Sequence, residues 1–526
     1  MSEATVAIPE DSKEPDDIGP TEEQLATQEP SLHQKTMRGL GWSTFATMAS
    51  AIMQIAYTAA VTRLVDPAAF GLVAASGTLL RFGGYFSEMG LGKATVQKAD
   101  LTDNNIRAAV TGTVGLGLIT FAVFFVLAPI LAPLAMDDPA LVWIIRLQAL
   151  SFLFGGMNNV PLNILRRRMD FATIAKVELA SYLLAYSTVG IGLAVIDKGL
   201  WGIALAGVTQ QLLAAIMHYA VARHPILPIF KRDAFAPMLG YGSRISAISF
   251  VEFLGGTADT FVIGKRLGAM VLGLYSRAQM LVQLPIYNLT TTFSRVLFPA
   301  MSSIQKDRPR LRRVYLSSIT LLAMIILPVG VGLALASKEA ILTVLGSRFA
   351  SATAIFTLLA IMTPFRLLTY FSGLVCDSTG HLNAKLATEL AFVALYALSF
   401  WFIALPYGVE GIAQILLVGE VIHFFIYAVI LGRLLDFSVW SLAQDFVPVL
   451  LTSLTVAGTV WAAGAILPNT VIPALGLLAK GVAGGVGFGI GLLAPWSRGI
   501  RAQLYERFLT KSQLGKHRVV LALVKL

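Results

Sequence analysis

Six basic side chains fall inside long apolar stretches of this 526-residue chain: Arg81, Arg146, Arg277, Arg295, Arg366 and Lys480. Four carboxylates do the same, Glu88, Glu252, Asp259 and Glu420, the last with His423 three residues on. An arginine at the centre of a membrane helix costs about 2.5 to 3.5 kcal/mol on insertion scales, so such residues face protein or water and mark ligand or ion paths. Guanidinium forks hold phosphate oxygens through two parallel hydrogen bonds, stay protonated and are less strongly hydrated than ammonium groups. Two readings follow: a cationic cavity for an anion, or arginine–carboxylate pairs that neutralise one another. Arg81 and Glu88 are seven residues apart, as are Glu252 and Asp259, which puts each pair on one helical face. The four carboxylates, Glu420 together with His423, are also candidates for proton or sodium coupling, since a desolvated carboxylate titrates nearer neutral pH.

Fourteen apolar stretches of roughly twenty residues, lying between Gly39 and Trp496, must position these groups. About 20 helical residues cross a hydrocarbon core about 30 Å thick, so the expected fold is an all-α integral membrane protein of about 14 transmembrane helices. Hydrophobic residues make up 56% and charged residues 13% of the chain, which excludes an ordinary cytosolic domain. Numbering the loops alternately puts eighteen lysines and arginines on one side and six on the other. The positive-inside rule makes the richer side cytoplasmic and, with an even span count, puts both termini there. Arg166-Arg167-Arg168 and the run from Arg308 to Arg313 belong to that side; they are candidates to meet an incoming lipid headgroup, though topology and anionic lipid explain both adequately. The net charge of +10 therefore reports membrane topology and not a nucleic-acid partner.

Residues 1–38 are expected to form a disordered acidic cytoplasmic tail; the first thirty hold nine acidic residues and one lysine, with no apolar run. An N-terminal six-helix lobe over 39–222, a cytoplasmic linker over 223–239 and a second six-helix lobe over 240–431 follow. Two additional helices over 432–496 and a basic tail over 497–526 complete the division. The lobes are expected because the chain echoes itself. Arg63-Leu64 before Phe70-Gly71-Leu72 returns as Arg266-Leu267 before Leu272-Gly273-Leu274, and Gly199 to Ala204 returns as Gly408 to Ala413. A period of six helices gives both copies the same orientation, hence two lobes around an axis along the membrane normal with a central cavity between them. Glu178 and Glu389, equivalent in the repeat, are read as interfacial structure, and His218 as a span-end histidine. Cys376, the single cysteine, is read as packing, so no intramolecular disulfide or zinc cluster is available.

The residues Arg63-Leu64-Val65-Asp66-Pro67-Ala68-Ala69-Phe70-Gly71-Leu72, then Gly90-Leu91-Gly92-Lys93-Ala94-Thr95-Val96-Gln97, stand in a recognisable order with Arg168-Met169-Asp170-Phe171, Gly273-Leu274-Tyr275-Ser276-Arg277-Ala278 and Phe298-Pro299-Ala300. Over about residues 38 to 495 the chain resembles the polysaccharide and oligosaccharide-lipid flippases of the multidrug/oligosaccharidyl-lipid/polysaccharide exporter superfamily. The resemblance implies a bacterial inner-membrane protein whose two lobes alternate access to a central cavity. The implied cargo is an undecaprenyl-pyrophosphate-linked oligosaccharide repeat unit for exopolysaccharide, capsule or O-antigen synthesis. A diphosphate headgroup is then the chemical reason for the arginines, and the cavity set is Arg81, Arg146, Arg277, Arg366 and Arg295.

The alternative within the superfamily is a cation-coupled multidrug antiporter, whose cargo calls for an acidic cavity. A membrane glycan polymerase or ligase is disfavoured by short outer loops and by the lack of a catalytic constellation. No cofactor or metal is expected, and no catalytic residue is assigned. Expected partners are the lipid-linked oligosaccharide and membrane lipids, with a polysaccharide polymerase and a chain-length regulator further along the same route, and no nucleic acid.

Overall fold

The structure, a computed structural model, describes residues 32–88, 102–229, 253, 256–284, 297, 300–400, 402, 405–468, 471–499 and 501. The first half contains α1 (Leu32–Leu64), α2 (Pro67–Glu88), α3 (Asp103–Ala135), α4 (Ala140–Arg167), α5 (Phe171–Leu184) and α6 (Gly199–Ala222). Beyond Leu184, α5 runs on through a π-helical turn over Ala185–Ile191 to Val195. The second half contains α7 over 256–284, α8 (Arg308–Leu335), the short α9 (Ser337–Val344), α10 (Thr353–Ser378), α11 (Leu382–Ser399) and α12 (Gly408–Leu435). Two further helices close the described chain, α13 (Val439–Ile466) and α14 (Pro473–Leu493).

Side-chain oxygens fix several helix starts: Thr102 accepts from the Asn105 amide, Asp170 from Thr173 and Asp307 from Arg310, each satisfying a backbone donor that has no partner within its helix. The 33 residues of α3 reach about 50 Å at 1.5 Å per residue, well past a core of about 30 Å. Among the described residues ten helical segments are long and apolar enough to cross a membrane. The other four expected spans are not counted there because parts of 240–263 and 270–297 lie outside the described residues and two more helices, α2 and α11, carry charges such as Arg81 and Lys385.

Helix α3 packs on α4 and α4 on α6, while α8 packs on both α10 and α13, and α13 on α14. The apolar segments of α8 and α10 are 67% and 61% buried within the protein, against 17% for α14, so the last helix is largely left to lipid. Four other expectations concern positions outside the described residues: the acidic tail up to residue 31, the side chain of Glu88, and both Glu252 and Arg295.

The duplication is visible in the backbone. Besides Gly268, which turns the chain within α7, and Gly346, left-handed φ values occur at Met169, Asp197 and Arg223 in the first half and at Gly380, Gly408 and Asp436 in the second. The latter six form pairs spaced 211, 211 and 213 residues apart, so unusual turns recur at equivalent places whether or not glycine is present. The halves also touch through equivalent residues. A Cβ on Gly71 would collide with the Ala269 carbonyl, and one on Gly273, 202 residues later, would collide with the Pro67 carbonyl. A contact in which i meets j′ while i′ meets j is what a two-fold axis imposes. Only glycine permits backbones to approach that closely at these two positions.

Candidate functional site

A cavity of about 1050 Å³ lies between α1, α2, α5 and α7. Helix α2 contributes Ala74, Gly77, Thr78 and Arg81, one helical face, and α7 contributes the equivalent residues Ser276, Gln279, Met280 and Gln283, each 202 positions later. Ser43, Thr47, Ser50 and Gln54 of α1 add hydroxyls and an amide, and Arg166 and Glu178 reach in from α4 and α5. The wall therefore mixes polar and apolar groups and, among the described residues, holds three arginines against one carboxylate.

Arg277 is the most informative of these. Its guanidinium lies 4.9 Å from the centre of the Phe70 ring, its Nη1 is 3.4 Å from Met280 Sδ, and its Nε has no hydrogen-bond partner. Tyr57, Tyr182 and Tyr186, stacked or edge-on to one another at 4.2 and 4.6 Å between ring centres, are its neutral neighbours. No carboxylate pairs with it among the described residues. Among the described residues Arg81 donates to Thr78 Oγ1, at 3.3 Å, on its own helix. Arg277 Nε is left free for an anion among the described residues. Arg166, from the basic triple that was also a candidate to meet a lipid headgroup, shares the same cavity wall.

The other sequence candidates lie elsewhere. Arg146 points out of the cavity: its guanidinium sits 4.9 Å from Trp143 and 5.0 Å from Phe125, both exposed on the apolar exterior, and its Nε donates to the Phe125 carbonyl at 3.2 Å. Arg366 donates through Nε to Glu420 Oε1 at 2.9 Å, the structural pairing that the sequence held open. Lys480 of α14 is bound to Glu339 of α9 at 2.7 Å and so pins the last helix to the second half.

A second polar cluster surrounds the Arg366–Glu420 pair next to a small cavity of about 240 Å³. The His423 ring stacks on Phe392 at 3.9 Å between centres, with Nε2 3.8 Å from Glu389 and Nδ1 4.0 Å from Glu420. Tyr427 donates to Glu389 at 3.1 Å, and the buried Asp259 accepts from the Tyr275 hydroxyl. Two of the four candidate coupling carboxylates, Asp259 and Glu420, are thus brought to one region. Glu389, expected at the interface as mere structure, belongs with them. Its only sequence signal was its place opposite Glu178 in the repeat.

The end of the cavity nearest Arg63 is shut. Phe70, which carries Arg277 on the cavity side, meets Phe349 of the other half edge-on at 5.7 Å. Around this plug the halves exchange equivalent contacts. Arg63 donates to the carbonyls of Thr343 and Val344 at 2.8 and 3.3 Å, and Lys265, 202 residues later, donates to the Pro133 carbonyl at 2.7 Å and to Asp137 at 2.6 Å. The structural equivalent of Arg63 is Lys265 and not Arg266, because the repeat is offset by 202 here. Arg348 adds a bond to the Leu64 carbonyl at 3.4 Å.

The profile of a family described as polysaccharide biosynthesis protein matches residues 60–354, more than half of the chain. The chain belongs to that family. This family member is 25% identical over 427 residues to the teichuronic acid biosynthesis protein TuaB of Bacillus subtilis, covering 81% of this chain and 88% of the relative. It is 23% identical to the lipopolysaccharide biosynthesis protein WzxC of Escherichia coli, covering 63% and 68%. Among solved structures it is similar to the lipid II flippase MurJ in an inward closed conformation, with a TM-score of 0.69 at 14% identity over 86% of this chain and 98% of that one. An inward-facing multidrug transporter of the MATE family, in the MOP superfamily, aligns with a TM-score of 0.54 at 15% identity over 76% and 99%. The family member thus has the multi-pass membrane fold of that superfamily.

Proposed function

We propose that the protein moves an undecaprenyl-pyrophosphate-linked oligosaccharide across a bacterial inner membrane by alternating access, as a carrier and not as an enzyme. The carrying observation is Arg277, a guanidinium without a carboxylate partner among the described residues, lining a large cavity with Arg81 and Arg166 on the same walls. Each arginine offers a two-pronged donor, and a diphosphate supplies oxygens to more than one fork at once. The cavity reaches toward the basic-loop side, which the charge bias makes cytoplasmic, and is shut at the Arg63 end. That is the state in which a headgroup made at the inner leaflet enters. Release requires the Phe70–Phe349 plug and its flanking cross-half contacts to part while the opposite side closes.

The antiporter alternative needs a cavity of net negative charge, whereas among the described residues three arginines here face one carboxylate, Glu178. Asp259, Glu389, Glu420 and His423 are proposed to carry coupling to protons or sodium from their own cluster in the second half. The experiment is polymer export from cells expressing variants at equal membrane abundance, with lipid-linked repeat units counted at the inner leaflet. Arg277→Ala and Arg81→Ala should each block export and raise the inner-leaflet pool. Normal export by both variants would discard the cationic-cavity mechanism.

A further inference from the structure

A side pocket of about 250 Å³ opens from the first half beside the central cavity and shares Ser50, Gln54 and Glu178 with it. Its far wall comes from α4 and α6, where Asn158, Gln210, Gln211 and His218 meet. His218 is 1% exposed, and its Nδ1 lies 2.8 Å from Asn158 Oδ1. An amide oxygen only accepts, so the ring nitrogen facing it carries the proton and Nε2 is left with a lone pair. Nε2 is buried and has no partner. Inside a helix bundle a buried polar atom costs free energy unless something satisfies it.

That lone pair selects among ligands. A phosphate or carboxylate has only acceptors to offer and would be repelled by it. A hydroxyl donates to the imidazole nitrogen and accepts from a carboxamide, and the pocket supplies one such nitrogen with four side-chain amides around it. The volume is below the 300 to 1,000 Å³ of a drug-sized site and suits one hydroxyl-rich ring. Because the pocket adjoins the arginine cavity, its occupant can be tethered to an anion held there.

Resting on the carrier function above, we propose that this pocket is the sugar subsite, in which His218 Nε2 and the amides of Gln210, Gln211 and Asn158 bind the hydroxyls of one sugar ring of the cargo while Arg277 and Arg81 hold its diphosphate. It is a specificity site, separate in chemistry from the charged site. A site built to hydrogen-bond a hydroxyl rejects ligands without one more strongly than an apolar pocket rejects an extra group.

The test uses the full-length protein in detergent and measures Kd for bare undecaprenyl pyrophosphate and for the same carrier bearing glucose, galactose or N-acetylglucosamine. At least one glycosylated carrier should bind about tenfold more tightly than the bare one, or better. His218→Ala and Gln210→Leu should each remove about five- to tenfold of that advantage and leave the affinity for bare carrier unchanged. Arg277→Ala should weaken all four ligands together. Should His218→Ala fail to fold, Gln210→Leu and His218→Gln decide. Equal binding of all four by the wild type, or an advantage that survives both pocket variants, overturns the sugar subsite while the carrier reading stands. Failure to bind any of the four, or indifference of all four to Arg277→Ala, overturns the carrier reading itself.

Discussion

Removing Arg63 should loosen the seal between the halves by a calculable amount. Arg63→Ala deletes two bonds across the interface, to Thr343 and Val344, while the bond to Ala59 lies within α1 and does not depend on the seal. Charged hydrogen bonds contribute about 1.5 to 3 kcal/mol each in protected sites. Arg63 is solvent-exposed and regains water when the seal opens, so the surface scale applies and the net loss is about 1 kcal/mol. That shifts the open population about fivefold. Leu345, fully buried beside the Val344 contact, reports the opening. In a Cys376→Ser background, Leu345→Cys should react with an impermeant thiol reagent only when the seal parts, at a rate proportional to the open population while reclosing outpaces labelling. Arg63→Ala should raise that rate about fivefold. Lys265→Ala, which deletes the exposed contacts to the Pro133 carbonyl and Asp137, should raise it by a similar factor, and the two effects should multiply because the sites are separate. An unchanged rate in both single variants, with the protein folded, would show that the reciprocal contacts do not hold the seal.

Gly273→Ala should act on the same seal from the centre, because the new methyl group collides with the Pro67 carbonyl; faster Leu345→Cys labelling together with a lower melting temperature is expected. Arg366→Ala strands Glu420 in a buried site and should cost about 3 to 5 kcal/mol, read as lost membrane abundance, whereas Arg366→Met with Glu420→Leu should recover most of it. Arg146→Ala should leave binding of undecaprenyl pyrophosphate unchanged, as its guanidinium faces Trp143 and Phe125 on the exterior; a tenfold loss in a titration would place it in the cargo path. For topology, Arg310→Cys in intact cells should resist an impermeant reagent and Lys338→Cys should react. Both positions are exposed, so the contrast reports sidedness and not burial.

Membrane residence, the helical class and the duplication were legible in the sequence because they are one-dimensional properties. Hydrocarbon thickness sets the length of each apolar run, and a repeat shows itself as an offset, even where that offset drifts from 202 to 213 along the chain. The types of group at the site were legible too, since a charge in an apolar run is costly and stands out. What the sequence could not rank was the arginines. Arg146, Arg277 and Arg366 sit in similar apolar contexts, yet one faces the exterior, one an open cavity and one a carboxylate 54 residues further on. Helical periodicity fixes which residues share a face but not what that face meets, because the rotation of each helix is set by packing against helices distant in the chain. The same limit left Arg166 between two readings and kept Glu389 and His218 as span-end residues. Their partners stand on other helices, and only tertiary structure brings Asn158 to His218 or, among the described residues, leaves Arg277 without a carboxylate.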